Sequence, residues 1–596
     1  MLKKFLAMMV TGSMLLLSAT ASAEIKPYEG SGEYIMSDFE SIEIAKQRAR
    51  SRAEQDARDK AGMYLASYSR QKNFRLTADE ITTITNNITG VVGEVEYGRE
   101  TFMAGESSGV KYTARLTANI DTDGIANWLK KSERERQTLV EQDEELQEAA
   151  RENDVRIDEL NRQYASAKSD SARNKLKREI EKTDKNFLAI QKVHEGNRLR
   201  HEGDYLGALE RYRESTELNP NYAGAYNNRG SMYGALGKKD LALEEYFKAA
   251  KCDPKAAPVY SNIGSTYHDM KDYARALKYL DKAIKLDPSY ANAYNNRGAS
   301  YFELGAYEKA LADYGKALEL EPEDPVMYNN RALVFDRLRD YERAIADHNK
   351  AIELDPGNSS AYNNRGVTYS NMGDTERALS DFTRAIELNP KNINVYNNRG
   401  ALYNQLNDYE HALEDFSKVL ELDPKLVEAY NNRGYANYRL KNYSQALNDF
   451  SFTIQLNGSD AAAYNNRATV YSDMKLYDLA IADYTKAIEL NPDYGMAYGS
   501  RAMAYANINE HGKAIADYTK AIEFEPNNAV VYFGRGLSYA ELGEYMLAKE
   551  DCDRALEINP NLAEAYIVRA VCHKNLGETE KMREDMATAK RLNGDA

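Results

Sequence analysis

The side chains best suited to chemistry in this chain recur at a fixed interval. Asn228, Asn262, Asn296, Asn330, Asn364, Asn398, Asn432 and Asn466 stand 34 residues apart, and most of them follow a second Asn. An amide side chain offers both donors and an acceptor. A row of eight can therefore hold the backbone of an extended peptide whatever its sequence, or bond from one period to the next. Arg follows this position in ten periods, with Asp or Glu 16 residues further on: Arg297 with Asp313, Arg331 with Asp347, Arg365 with Asp381 and Arg399 with Asp415 among them. Two periods depart, and both change the two positions together, to Glu195 with Arg211 and to Ile263 with Tyr279. Paired switching of this kind points to a structural contact, an ion pair between two helices. Catalytic chemistry has no comparable signal. The seven His are scattered, without metal-ligand spacing, and neither a P-loop nor a G-x-S-x-G elbow is present. No catalytic residue, metal or cofactor is expected.

The elements that carry these side chains follow from the same period. Tyr226, Tyr260, Tyr294 and their successors to Tyr566 are spaced by 34 residues without an insertion. One copy runs from Tyr290 to Glu323. With Tyr294 as position 4, it has Gly298 at position 8, Tyr301 at 11, Ala310 at 20, Tyr314 at 24, Ala317 at 27 and Pro322 at 32. This pattern resembles the tetratricopeptide repeat. It departs at position 4, where Tyr replaces Trp, and at position 7, where Arg replaces Leu. The resemblance covers residues 188–596 as twelve copies, the first of them degenerate, with Gly196, Ala208 and Pro220. It implies two antiparallel helices per copy, A and B, stacked as a right-handed α-solenoid with helix A lining a concave groove. The Asn row then falls at position 6, and it resembles the asparagine ladder in the tetratricopeptide superhelix of O-linked N-acetylglucosaminyltransferase, which holds peptide backbone. Binding of a peptide and bonding between copies both remain open for these Asn. Capture of an acidic C-terminus is disfavoured, because the groove positions lack Lys or Arg in adjacent copies.

The rest of the chain reads as three further segments. Residues 1–23 have two early lysines, the apolar run Phe5 to Leu17 and Ala21-Ser22-Ala23, the pattern of a cleaved secretory signal. Export to a bacterial periplasm or the cell exterior is expected, with no integral membrane segment after cleavage. Residues 24–127 read as a small α+β domain. Ala45, Ala49, Ala53, Ala57, Ala61 and Leu65 form a stripe of small side chains on one helix face. Val110 to Ile120 alternates as a strand, with Val91 to Met103 as its hairpin partner. Arg48, Arg50, Arg52 and Arg58 are interleaved with acids and read as a solvated face. Gly32 to Tyr34, the Ala-rich helix ending Ala61-Gly62 and the hairpin together resemble the N-terminal domain of flagellar assembly protein T and related envelope lipoproteins, without their lipidation Cys. That resemblance implies an envelope assembly role.

Residues 128–187 are charged and helical, with Leu146, Ala150, Asn153, Ile157, Leu160, Tyr164 and Ala167 at seam spacing and a break near Ser169. A dimerising coiled coil and a helical hairpin or spacer are both consistent with this, so a homodimer through 128–187 stays open. The net charge of -15 argues against a nucleic-acid partner. The three Cys form no disulfide framework; Cys552 and Cys572 stand either as a disulfide or as two buried thiols. The chain is thus expected to be mainly α, a protein-interaction scaffold with protein or peptide partners. The alternative is an envelope assembly factor in which the repeats act as a spacer.

Overall fold

The computed structural model describes residues 26–36, 42–71, 81, 89–104, 107–120 and 133–594. The signal segment and part of the expected hairpin turn lie outside the described residues. The chain divides into two compact units, one up to Leu338 and one from Arg339 onwards.

The first unit opens with strand β1 (Lys26–Met36), helix α1 (Ile42–Gln71) and strands β2 (Thr89–Ala104) and β3 (Ser107–Ile120). The strands form an antiparallel sheet in the order β1-β3-β2, with Tyr34 opposite Tyr112 and Val91 opposite Ala118. The alanine stripe of α1 is wholly buried against Tyr34, Tyr112, Ala114 and Leu116. A methyl group at every fourth residue lets the helix backbone lie close to the sheet. β1 carries no strand signature in its sequence, because Gly30 and Gly32 interrupt its apolar alternation.

Helices α2 (Glu133–Ser166) and α3 (Asp170–His201) form a hairpin, turned at Ser169, whose hydroxyl accepts from the Ala172 amide. The predicted seam is filled from within the chain. Ile157 and Leu160 pack on Ile180, and Asn153 Nδ2 donates to the Thr183 carbonyl at 3.0 Å. α3 continues without a break into the first repeat copy, so the expected boundary at residue 187 falls inside a helix.

One expectation is corrected here. Arg48 does not lie on a solvated face; it is 2% exposed. Its Nη1 donates to Asp154 (2.8 Å) and its Nη2 to Asp184 (2.9 Å), and its guanidinium lies 4.4 Å from the Phe187 ring centroid. α1 is thereby tied to both arms of the hairpin. Burial pushes both Asp carboxyls above their ordinary values, against the pull of Arg48. Removing the guanidinium would strand the Asp184 carboxylate, only 4% exposed, away from water, whereas Asp154 keeps 44% of its side chain exposed.

From Ala189 onwards the repeat governs both units. In each copy helix A covers positions 1 to 13 and helix B positions 17 to 30, as in Ala291–Glu303 and Tyr307–Leu320. The packing reason is visible at position 8. A Cβ on Gly366 would come within 2.8 Å of the Phe382 ring, and one on Gly230 within 2.7 Å of Tyr246. Alanines at position 20 are fully buried where the helices cross. Position 15 closes the A–B turn in the left-handed region. Gly305 and Gly373 occupy it at no steric cost, whereas Lys441 and Lys475 hold φ of 62° and 61° there.

Candidate functional site

Helix A presents Tyr, Asn, Asn and Arg at positions 4 to 7, within one turn. The Arg reaches helix B of its own copy as a two-pronged fork. Arg297 Nε and Nη2 donate to Asp313 at 2.8 and 2.7 Å, Arg365 to Asp381 at 2.7 and 2.8 Å, and Arg399 to Asp415 at 2.9 and 2.7 Å. Arg331 belongs to the first unit, and Asp347, buried, to the second. The reversed pair of the first copy also meets, with Arg211 Nε 3.5 Å from Glu195. The remaining prong of the fork does something the residue pattern did not announce. Nη1 reaches back to position 25 of the preceding copy: Arg297 to Asp281 (2.7 Å), Arg365 to Asn349 (2.6 Å), Arg399 to Thr383 (3.0 Å) and Arg569 to Asp553 (2.6 Å). Arg297, Arg365, Arg399 and Arg569 therefore each join the two helices of their own copy and one of the copy before. The third copy explains itself in these terms. Ile263 is fully buried there, and Phe247 and Tyr279 meet edge to face at 5.7 Å, so all three corners of the bridge become apolar together. A signal for the third corner did exist, since position 25 is polar before most Arg copies and Phe before Ile263.

The Asn row is built on the same stacking. Position 6 of one copy donates its Nδ2 to position 5 of the copy before: Asn262 to Asn227 (2.9 Å), Asn330 to Asn295 (3.0 Å), Asn398 to Asn363 (3.0 Å) and Asn466 to Asn431 (3.1 Å). Asn228 bonds Asn197 Oδ1 (3.2 Å) and Asn296 bonds Ser261 Oγ (3.2 Å) in the same sense. Asn364 accepts from its neighbour Asn363 (3.2 Å), and the Asn432 carbonyl accepts from Asn404 (3.3 Å). Where the row ends, at Ser500, the Asn465 Oδ1 is left buried without a hydrogen-bond partner. Six of these eight amides bond to the copy before, while Asn397 Oδ1, in the middle of the row, is likewise buried without a hydrogen-bond partner. An Asn that gives one N–H to its neighbour still has a second N–H and lone pairs to offer. Beyond Asn466 the row gives way to Ser500, Gly534 and Val568, and other positions of helix A (2, 5 and 9) expose Met496, Met503, Val530, Leu537, Ile567 and Val571.

Cys552 and Cys572 are free thiols, both fully buried, and burial pushes Cys552 up to about 12. His348 is likewise fully buried at position 24, in the place of the usual ring. Among the described residues no three His, Cys, Asp or Glu side chains are grouped to hold a metal, and no helix is long and apolar enough to cross a membrane.

Comparison with known proteins agrees with this geometry. A family model described as tetratricopeptide repeat matches residues 291–324, 325–358, 359–392, 393–426, 461–494 and 529–562. A TPR repeat model matches 196–237, 264–305 and 502–543, and a further tetratricopeptide repeat model matches 223–255. Among curated proteins no sequence matches. Similar solved structures include yeast Tom70, at 18% identity over 68% of this chain and 99% of that one, with a TM-score of 0.33. A tetratricopeptide repeat protein from Parabacteroides merdae is 24% identical over 42% of this chain and 98% of its own, with a TM-score of 0.34. Pseudomonas aeruginosa pilF is 21% identical over 35% and 94%, with a TM-score of 0.31. At these scores none of the three informs the choice of partner.

Proposed function

Since this chain belongs to the tetratricopeptide-repeat family, whose stacked helix pairs form protein-interaction scaffolds, we propose that it is an exported, non-catalytic scaffold binding extended segments of protein partners along its helix A faces. The amide row carries this reading. It repeats once per copy, is held in line by its own inter-copy bonds, and keeps spare donors and acceptors for a peptide backbone. The apolar stretch from Met496 to Val571 suits partner side chains beyond the end of the row. Residues 1–23 support export, and a mature chain starting at Glu24 is the expected product. Assembly through a dimerising coiled coil has less support, because the seam of α2 is occupied by α3 of the same chain.

Affinity capture from a cell-envelope extract tests the proposal. The bait is the mature chain, and the control carries Asn330, Asn364, Asn398 and Asn432 all changed to Ala. Each lost amide bond costs about 1 kcal/mol, so circular dichroism must establish that the control is folded. Partners kept by the native row and lost by the folded control support the reading. The same set on both baits would make the row purely structural.

A further inference from the structure

Position 11 of helix A carries a ring in every copy from the second to the twelfth, with one exception. Tyr369, Tyr403, Tyr471 and Tyr505 are typical, and Phe335 and His573 take the same place; in the eighth copy the residue is Asn437. In the sixth, seventh, ninth and tenth copies the ring neighbours the guanidinium at position 7. The Arg399–Tyr403 and Arg501–Tyr505 centroid distances are both 5.9 Å, and Arg467–Tyr471 is 6.0 Å. Position 19 often closes the other side, as Arg377 does over Tyr369 (4.4 Å) and His411 does on Tyr403 (5.1 Å). In the eighth copy position 19 is Gln445, so the ring and its second neighbour are lost together.

A cleft of about 290 Å³ remains where the ring would lie. Its walls include Leu413 and Ser417 from helix B of the seventh copy (Tyr409–Leu422) and Arg433, Asn437, Gln445 and Asp449 from the eighth. Asn437 Nδ2 donates to Asp449 at 3.2 Å, and its Oδ1 accepts from Asn442 at 3.5 Å. Arg433 still forks onto Asp449, at 3.1 and 2.7 Å, but its third prong is 3.4 Å from Ser417, against 3.0 Å for Arg399 and Thr383. Its side chain is 26% exposed, against 19% for Arg399 and 20% for Arg467. The bridge survives, and the missing ring has uncovered it.

We propose that this cleft is a binding site for a hydroxyphenyl group supplied by a ligand, either the tyrosine side chain of a protein or a small phenol. The neighbouring copies show which group this scaffold packs at that place: a phenol beside the position-7 guanidinium. Arg433 and Asp449 neutralise each other, so the cleft favours an uncharged ring over an anion or a cation. The face of such a ring is attracted to the guanidinium, Leu413 supplies apolar contact, and the Gln445 amide can give or accept a hydrogen bond at the hydroxyl. The site does not depend on the Asn row.

The test is binding of N-acetyl-tyrosinamide to the full chain, followed by saturation-transfer NMR. Saturable binding is expected, at least tenfold tighter than that of N-acetyl-leucinamide. Asn437→Tyr, which restores the ring, should weaken it at least tenfold and raise the melting temperature. Asn437→His, which copies the twelfth repeat, gives the same readout should the Tyr variant fail to fold. A short tyrosine peptide that binds tenfold tighter than the amide marks a protein as the source, and equal affinity marks a small phenol; both support the site. No saturable binding by the native chain, equal binding by the folded variants or equal binding of the leucine analogue would each overturn it.

Discussion

Replacing Arg399 by Ala tests the energetic reasoning about the bridge most directly. The substitution removes three hydrogen bonds, two to Asp415 and one to Thr383. More important is what it leaves behind: an Asp415 side chain only 4% exposed, with no opposite charge. Breaking a buried pair from one side costs about 3–5 kcal/mol. Arg399 is itself partly exposed, which places the expectation at the lower end, about 3 kcal/mol. Removing both partners, as Arg399→Ala with Asp415→Ala, should cost less than removing the Arg alone. Repeat arrays open locally, so hydrogen exchange read by mass spectrometry on the helix Tyr409–Leu422 is the appropriate assay. At 1.36 kcal/mol per decade, 3 kcal/mol means exchange there about a hundredfold faster. The pH dependence has a definite sign. Burial raises the Asp415 carboxyl above its ordinary value even with Arg399 present, so the folded state holds that proton more tightly than the unfolded one. The group's contribution to stability is full below its unfolded value and is lost as pH rises through the folded value. The Arg399→Ala defect should accordingly be larger at pH 7 than at pH 4 in urea titrations. Exchange less than threefold faster at neutral pH, or a defect that grows on acidification, would refute the argument.

Two further outcomes are expected. Lys441→Gly relieves a left-handed backbone at position 15 and should stabilise by about 1 kcal/mol in urea denaturation; a loss would mean that the Lys side chain contributes more than its φ costs. Ellman's reagent on the native protein at pH 8 should label Cys252 alone, with Cys552 and Cys572 reacting only after unfolding, because both are fully buried and Cys552 is held up to about 12; more than one reactive thiol in the native state would contradict this packing.

The repeat region was legible because one period sets every constraint at once. Tyr294, Gly298, Ala310 and Pro322 each mark a different physical requirement, and the same or a similarly small residue returns at most of these places every 34 residues, as Ala332 does for Gly298 and Gly458 for Pro322. The contact between Arg399 and Asp415 could be read from paired switching, since two side chains that meet must change together. Its extension to Thr383 was hidden, because position 25 accepts Asp, Asn, Ser and Thr alike and a hydroxyl leaves no charge signature. Arg48 was misread for a related reason. On a helix dense with charge, burial depends on what packs there, and Asp154 and Asp184 lie more than 100 residues away. The seam of Ile157 and Leu160 announced a partner helix without saying whose; the short turn at Ser169 supplies it from the same chain. Asn437 escaped notice as one polar residue in a polar chain, and it acquires meaning only against the ring that its counterparts place there.

The continuity of α3 has a consequence for assembly. A stack of identical layers is sticky at its ends, because the apolar face that welcomes the next layer is still present on the outermost one, and head-to-tail growth into fibres is the hazard. Here the outermost layer at the N-terminal side is not bare. Leu146, Ala149 and Ala150 of α2 lie over Ile190 and Val193 of the first copy. The charged outer surface of α2 then faces water in place of the layer's own apolar side. Because α3 serves the hairpin and the repeat with one uninterrupted backbone, this lid is in register with the array as soon as the array exists, and the polymer is stopped at that end by the protein's own chain.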